Sequence, residues 1–434
     1  MQGNMNFTAS GDALITKKLP DKYPGSGAIR AFLQQGEMRI TNIETTITDG
    51  DCYPSTFSGG TWLTAPEAVL QDLQDFGFTT YGIANNHMLD YSYPGLFETL
   101  DKLKAHGMPF TGAGRSLEEA SAPVIVRTAD SSAAFLAVTS TFDASARAGV
   151  KGPFLPARPG VNPLRHEEIY LVTPEHMAQV KEIAEACYVN VKNKRRYKTG
   201  YKLQPKDGIF EFKDMKFKES PVEGKTTVPS SKDLSRICET IRKLKQEIDY
   251  VVVMTHSHEM KDDSMESIDD FVMASAHAFI DAGADMILGG GCHQLKGIEL
   301  YQGKPVFYSL GNFIYQNESV SVLPPDFMDK YKLPYTTTAQ EALAARKSHA
   351  KNGGLQSKEN YLSCLPFVHF ANGRCTNLEL LPIALGYEKT GDDRAIPYVA
   401  EEADRKTIYE TLCRLSKPLG TELILDGNRI KVQL

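Results

Sequence analysis

The stretch 251–260, VVVMTHSHEM, runs four apolar residues straight into His256, Ser257, His258 and Glu259. An unbroken apolar run of this length reads as a strand buried on both faces, ending where its polar residues begin. Residues i and i+2 of a strand face the same side, so His256 and His258 address one point. The same spacing also arises by chance, and its meaning depends on what surrounds it. Two segments follow: DDFVMASAHAFIDAG (269–283), a helix, and ADMILGG (284–290), a second strand. Next comes KGIELYQGKPVFYSLGNF (296–313), a hairpin turning at Gln302-Gly303.

The same alternation is found upstream. MNFTASGDAL (5–14) is a strand ending at Gly11-Asp12, and EMRITNIETTIT (37–48) a second one ending near Asn42 and Glu44. APEAVLQDLQDFG (65–77) is a helix stopped by Gly77. FTTYGIANNH (78–87) is a strand running into polar residues. YPGLFETLDKLKAHG (93–107) is a helix with Leu96, Leu100 and Leu103 on one face and Gly107 as its stop. PFTGAG is a short strand, SLEEASAP a helical turn, and APVIVRT and SAAFLAVTS adjacent strands. Such alternation predicts a layered α/β fold, in which ligands gather beyond the carboxyl ends of the strands. From 151 the texture becomes rich in proline and glycine, and 165–245 mixes helix-like stretches with a basic run, VKNKRRYKTGYK (191–202). We expect a core over 1–320 with an insertion at about 160–245, and an extension over 321–434 packing on that core.

The chain has 434 residues, 41% hydrophobic and 24% charged, with a net charge of −6. That balance is globular and argues against nucleic acid as a partner. No apolar run reaches the length of a membrane span. The opening MQGNMNFTASGD has no basic and apolar leader pattern, so a cytoplasmic location is expected. The seven cysteines are scattered without C-x-x-C, which fits a reducing compartment.

Five predicted strand ends finish in polar or metal-capable side chains: Asp12; Asn42 and Glu44; Asn86 and His87; His256 and His258; and His293. Each alone has a structural explanation, as a cap, a turn former or a hydrogen-bonded core histidine. Together they repeat one chemistry at one end of successive strands. Carboxylate, amide oxygen and imidazole suit Mn, Fe or Zn, and the set is large enough for one or two divalent ions. A bimetal centre polarises a phosphoryl or carbonyl oxygen and makes water nucleophilic near neutral pH. Glu44 or Asp12 would bridge such a pair. Arg115, in GAGR (112–115), either offers a guanidinium to an anionic substrate or closes a turn in solvent. Asn312, in YSLGNF, either orients a ligand or closes a turn. The basic run is a solvated surface or meets an anionic polymer. His277 reads as a core histidine, His106 as a partner of its helix end, and Trp62 as a candidate substrate platform.

At these residues the chain resembles a known family. GDALIT (11–16), TNIETTIT (41–48), ANNHMLDYSYPGLFETLDKLKAHGMPFTGAG (84–114), THSHE (255–259) and AHAFIDAGADMILGGGCHQLKGIELYQGKPVFYSLGNFIYQ (276–316) are similar to the CapA-type poly-γ-glutamate capsule biosynthesis proteins. Those proteins belong to the calcineurin-like metallophosphoesterase superfamily, and RPGVNPLR (158–165) and the tail resemble one branch of them. The resemblance implies a four-layer α/β/β/α sandwich with metals at strand ends between two sheets. It implies Asp12 as the first metal aspartate, Glu44 as the bridging carboxylate and Asn86 as an amide ligand. It implies His87 as the residue meeting the leaving group, and His256 and His293 as metal histidines. It also implies an anionic substrate or polymer, either a phosphoester or poly-γ-glutamate, and a hydrolase or, alternatively, a non-catalytic binding or assembly factor. Two departures stand out. Leu14 occupies the place of the histidine that usually follows the first aspartate. Gly290 or Gly291 occupies the place of a histidine upstream of His293, which leaves His258 as the candidate substitute.

Overall fold

The structure is a computed structural model that describes residues 3–21, 23–205, 208–349 and 357–434. The chain is an α/β protein built on two large sheets. Among the described residues the first sheet has ten strands. Its main order is Leu423–Asp426, Arg429–Val432, Arg374–Ala384, Leu362–Ala371, Met5–Leu14, Met38–Ile43, Thr80–Gly82 and Phe110–Thr111, with Asn312–Tyr315 pairing in parallel onto Met5–Leu14. The second sheet runs Ile298–Tyr301, Lys304–Phe307, Met286–Gly291, Tyr250–Ser257, Ser132–Thr139 and Val124–Arg127. Its centre is parallel, as the apolar runs predict.

Alternation along the strands shows why those runs are unbroken. Tyr250, Val252 and Met254 join Ala133, Phe135 and Ala137 in a cluster with Met5, Phe7 and Ala9 of the other sheet. The intervening Val251, Val253, Ala134 and Leu136 join a second cluster with Ile237 and Ile241 of helix Ser231–Leu244, and Phe271 and Phe279 of helix Asp270–Asp281. A third cluster unites the first sheet with Leu96, Leu100 and Leu103 of helix Ser92–Ala105. Each such leucine contributes about 1.5–3 kcal/mol by burial. Helix Asp270–Asp281 begins at Asp269, whose carboxylate accepts from the Phe271 N–H, and ends before Gly283, which has a φ of +112°. The hairpin turns at Gln302-Gly303, both with positive φ (52° and 74°), as a two-residue turn requires.

Several sequence expectations need correction. Asp12 does not end its strand, which continues to Leu14 because Asn312–Tyr315 pairs with it. Residues 165–245 contain a separate four-stranded sheet, ordered Ile209–Phe212, Met215–Glu219, His166–Val172 and Gly224–Pro229. Its strands are only partly buried, so charged residues interrupt the apolar alternation that would reveal them. His277 is not a core residue: it is half-buried, 2.9 Å from Glu299 and stacked on Tyr301. Trp62 is buried, its indole donating to the Ser55 carbonyl, so it presents no platform. His106 caps its helix end and pairs with Glu67 at 2.8 Å. All seven cysteines are free. Among the described residues no helix is long and apolar enough to cross a membrane.

Candidate metal centre

The alternation that places Tyr250, Val252 and Met254 between the sheets carries His256 to the rim of the same face. Asp12 reaches that rim by a different device. Pairing between Met5–Leu14 and Met38–Ile43 slips between Ala9 and Asp12, and such an irregularity re-aims the side chains beyond it. Gly11 is required beside it, since a Cβ there would meet the Gly311 carbonyl oxygen at 1.8 Å. Both Asp12 oxygens are held: Oδ1 by Asn42 Nδ2 and Oδ2 by the Gly291 N–H, each at 2.7 Å. Burial alone would raise the Asp12 pKa. The hydrogen bond and charge of His256, with His293 and the Gly291 N–H, lower it instead.

Glu44 occupies the middle. It is fully buried, and neither carboxylate oxygen has a hydrogen-bond partner among the described residues. Four imidazoles surround it at longer range. Its Oε1 lies 3.3 Å from His256 Nε2, 3.9 Å from His87 Nε2 and 3.9 Å from His258 Nε2, and its Oε2 lies 4.0 Å from His293 Nδ1. Two triads, Glu44–His256–His258 and Asp12–Glu44–His293, each bring ligand atoms within 4.8 Å of one another. A buried carboxylate without hydrogen bonds is costly unless a cation meets it. These donors, with the Asn86 amide oxygen 2.8 Å from His256 Nε2, fit a divalent ion of the Mn, Fe or Zn class.

His258 turns into the cluster, its Nε2 3.1 Å from that of His256. Position 290 has no space for an imidazole, because a Cβ on Gly290 would lie 2.7 Å from Asp12 Oδ1. His256 is pushed up to about 10: burial opposes its charge, but Glu44 and Asp12 outweigh it. His258 is held well below the usual range by burial and by His256, His293 and His87. His293 adopts a left-handed backbone (φ 61°), sparsely populated for a residue with a side chain, and its Nδ1 sits 2.9 Å from Asn312 Oδ1. Asn312 in turn donates to the carbonyls of His293 and Asn360.

His87 lies across from His256 with Nδ1 2.7 Å from Asp90 Oδ2. Burial raises the Asp90 pKa, and His87 together with the N–H groups of Leu63 (2.8 Å) and Gly59 (3.0 Å), from which it accepts, only partly offsets that rise. Burial works against charge on His87, but Asp90 and Glu44 raise its pKa. Asp90 was not among the residues singled out in the sequence, although its i+3 spacing from His87 in NHMLD was the available signal. Asn85 was also missed. It donates to Asn42 Oδ1 and the Ile43 carbonyl, and accepts from the His87 N–H. Glu259 accepts from the hydroxyls of Ser140, Thr141 and Ser257, and Thr141 Oγ1 accepts from the His258 N–H.

The structure thus assembles Asp12, Asn42, Glu44, Asn86, His87, His256, His258, His293 and Asn312. It does not bring Arg115 to them. The Arg115 guanidinium pairs with both Asp101 oxygens at 2.8 and 2.9 Å and lies over the Phe97 ring. Its backbone N–H donates to Glu119. The basic run forms the exposed helix Val191–Lys198.

Comparison with known proteins places this geometry. The model of a family described as "Bacterial capsule synthesis protein PGA_cap" matches residues 6–317. A Sinorhizobium fredii protein, "Uncharacterized protein y4sH", is 32% identical over 431 residues, covering 97% of this chain and 91% of that protein. The "Capsule biosynthesis protein CapA" of Bacillus anthracis is 26% identical over 253 residues, 58% of this chain and 44% of its own length. The "PGA biosynthesis protein CapA" of Bacillus subtilis is 26% identical over 244 residues, with 56% and 44% covered.

Proposed function

We propose, because this chain belongs to the bacterial capsule synthesis (PGA_cap) family, that it serves poly-glutamate capsule synthesis as a metal-dependent hydrolase of an anionic substrate. The bond cleaved is a phosphoester or a γ-glutamyl amide. The observation that carries this reading is Glu44, a buried carboxylate with no hydrogen bond, ringed by four imidazoles. We read the two sheets, with helices on their outer faces, as the four-layer sandwich of the metallophosphoesterase type, formed by 1–320 with an insertion at about 160–245.

Asp12, Glu44, Asn86, His256, His258 and His293 would hold one or two divalent ions. When bound, such ions polarise the scissile group and make water nucleophilic near neutral pH. The protein's own groups do the rest. Asp90 fixes the orientation of His87 and keeps a proton available at its Nε2 for the departing group. Asn42 and Gly291 hold Asp12, and Asn312 holds His293. A non-catalytic binding factor is the alternative, motivated by Gly290 or Gly291 standing where the resemblance implies a histidine and, less strongly, by the basic run 191–202. The inward position of His258 favours the hydrolase, because it supplies an imidazole to the cluster.

The test is metal analysis of protein purified without chelators, followed by titration with Mn²⁺, Fe²⁺ and Zn²⁺ and assay on p-nitrophenyl phosphate, bis-p-nitrophenyl phosphate and γ-linked glutamate oligomers. Bound metal with turnover of one of these substrates supports the proposal. Absence of metal binding and of any metal-dependent thermal shift refutes it. Metal binding without turnover selects the binding factor.

A further inference from the structure

Arg346 lies on helix Ala339–His349 and is only 8% exposed. A buried guanidinium ordinarily has a carboxylate partner, since burying an unpaired charge is costly. Here none lies within ion-pair distance among the described residues. The hydrogen-bond partner of Arg346 is the Thr61 hydroxyl, and its guanidinium carbon sits 5.8 Å from the centre of the Phe327 ring. Burial lowers its pKa, against the smaller opposing influence of Tyr331, Glu318 and Tyr315, so a carboxylate is near Arg346 but not paired with it.

Thr61 follows directly on the pair Gly59-Gly60, which abuts the metal cluster. The Gly59 carbonyl accepts from Asn86 Nδ2 at 3.0 Å, and its N–H donates to Asp90. A Cβ on Gly59 would stand 2.6 Å from His87 Nε2. Thr61 is therefore two residues from the backbone that touches both Asn86 and His87. A second route links Arg346 to the other side of the cluster. Tyr315, whose ring centre is 5.4 Å from that of His293, feels the charges of both Glu44 and Arg346.

We propose that Arg346, steadied by Thr61, is an anion subsite beside the metal cluster that binds an oxyanion of the substrate, a phosphoryl or a carboxylate group. The proposal rests on the metal-centre reading and adds to it the residue that recognises substrate charge, the part Arg115 does not play. A planar guanidinium presents paired donors that match either oxyanion, and burial strengthens the interaction.

The experiment uses the full chain, wild type, R346Q and R346K, with metal affinity measured first by Mn²⁺ titration. Inorganic phosphate and γ-linked triglutamate are then titrated calorimetrically into metal-free and metal-loaded protein. Wild type is expected to bind at least one of the two anions, and which one identifies the group recognised. R346Q is expected to lose that affinity on the order of tenfold or more, with Mn²⁺ affinity and melting temperature unchanged. R346K is expected to fall between them, since an ammonium cannot reproduce the paired donors. Wild type that binds neither anion, or R346Q that binds as tightly as wild type, overturns the proposal. If R346Q does not fold, R346K decides: affinity equal to wild type overturns the proposal and weakened affinity supports it. Failure of Mn²⁺ to bind wild type defeats the metal-centre reading instead, and the titrations of metal-free protein still judge Arg346.

Discussion

The Nε2 atoms of His256 and His258 stand 3.1 Å apart, and both face Glu44 Oε1. Two imidazole nitrogens at this distance share one proton or one cation. His258→Ala should therefore weaken metal binding, by about tenfold or more, while the fold persists because the side chain is partly exposed. Calorimetric Mn²⁺ titration checks this, and an unchanged affinity would place His258 outside the ligand set.

Asp90→Asn separates orientation from metal binding. Asp90 touches His87 and backbone N–H groups but no other member of the cluster. The substitution should lower kcat by about 10²–10⁴-fold, as loss of a positioned acid does, and leave Mn²⁺ affinity within a few-fold. The two readouts are kcat on the best substrate and the metal titration. A parallel collapse of both would assign Asp90 a structural role.

Gly290→His, which installs an imidazole where the sequence resemblance implies one, should not improve the centre. Its Cβ would lie 2.7 Å from Asp12 Oδ1, and an overpacked side chain costs about 1–3 kcal/mol. A lower melting temperature and weaker Mn²⁺ binding are expected. A stabilised, tighter-binding variant would show that the strand shifts to admit the ring.

Acid should loosen the Thr48–Cys52 segment that Glu98 holds. Burial opposes its charge, but hydrogen bonds from Lys102, Thr48, the Asp49 N–H and Cys52 lower its pKa to about 2. A carboxylate with a depressed folded-state pKa contributes stability that is full above its unfolded value, about 4.3, and lost as pH falls through the folded value. The melting-temperature gap between wild type and Glu98→Gln should be widest near neutrality and close between pH 4.5 and about 2. A gap that stays constant across this range would remove Glu98 from the account.

The sequence made the strand ends legible because central parallel strands bury both faces, and their apolar runs stop abruptly where chemistry begins. His256 and His293 could be found in that way, whereas Asp12 lies inside its strand and Glu44 follows a strand of alternating apolar and polar residues. Arg346 could not, because it sits on helix Ala339–His349 near no motif, and its place beside Thr61 emerges only in the folded chain. Arg115 drew attention through its glycine-rich setting, yet Asp101 neutralises it locally. The sheet within 165–245 was hidden by its own exposure, since its strands are only partly buried and Lys218 and Glu219 stand exposed in one of them.

The strand that carries Asp12 pairs on one side with Leu362–Ala371, from Met5↔Phe370 to Thr8↔Phe367. Every proposed metal ligand therefore leaves the ribosome before this neighbour exists. During synthesis the backbone of Met5–Thr8 presents an unpaired edge, and the centre gains its final support only when the later strand docks. A nascent chain halted before Leu362 would leave the Met5–Thr8 edge open to other strands.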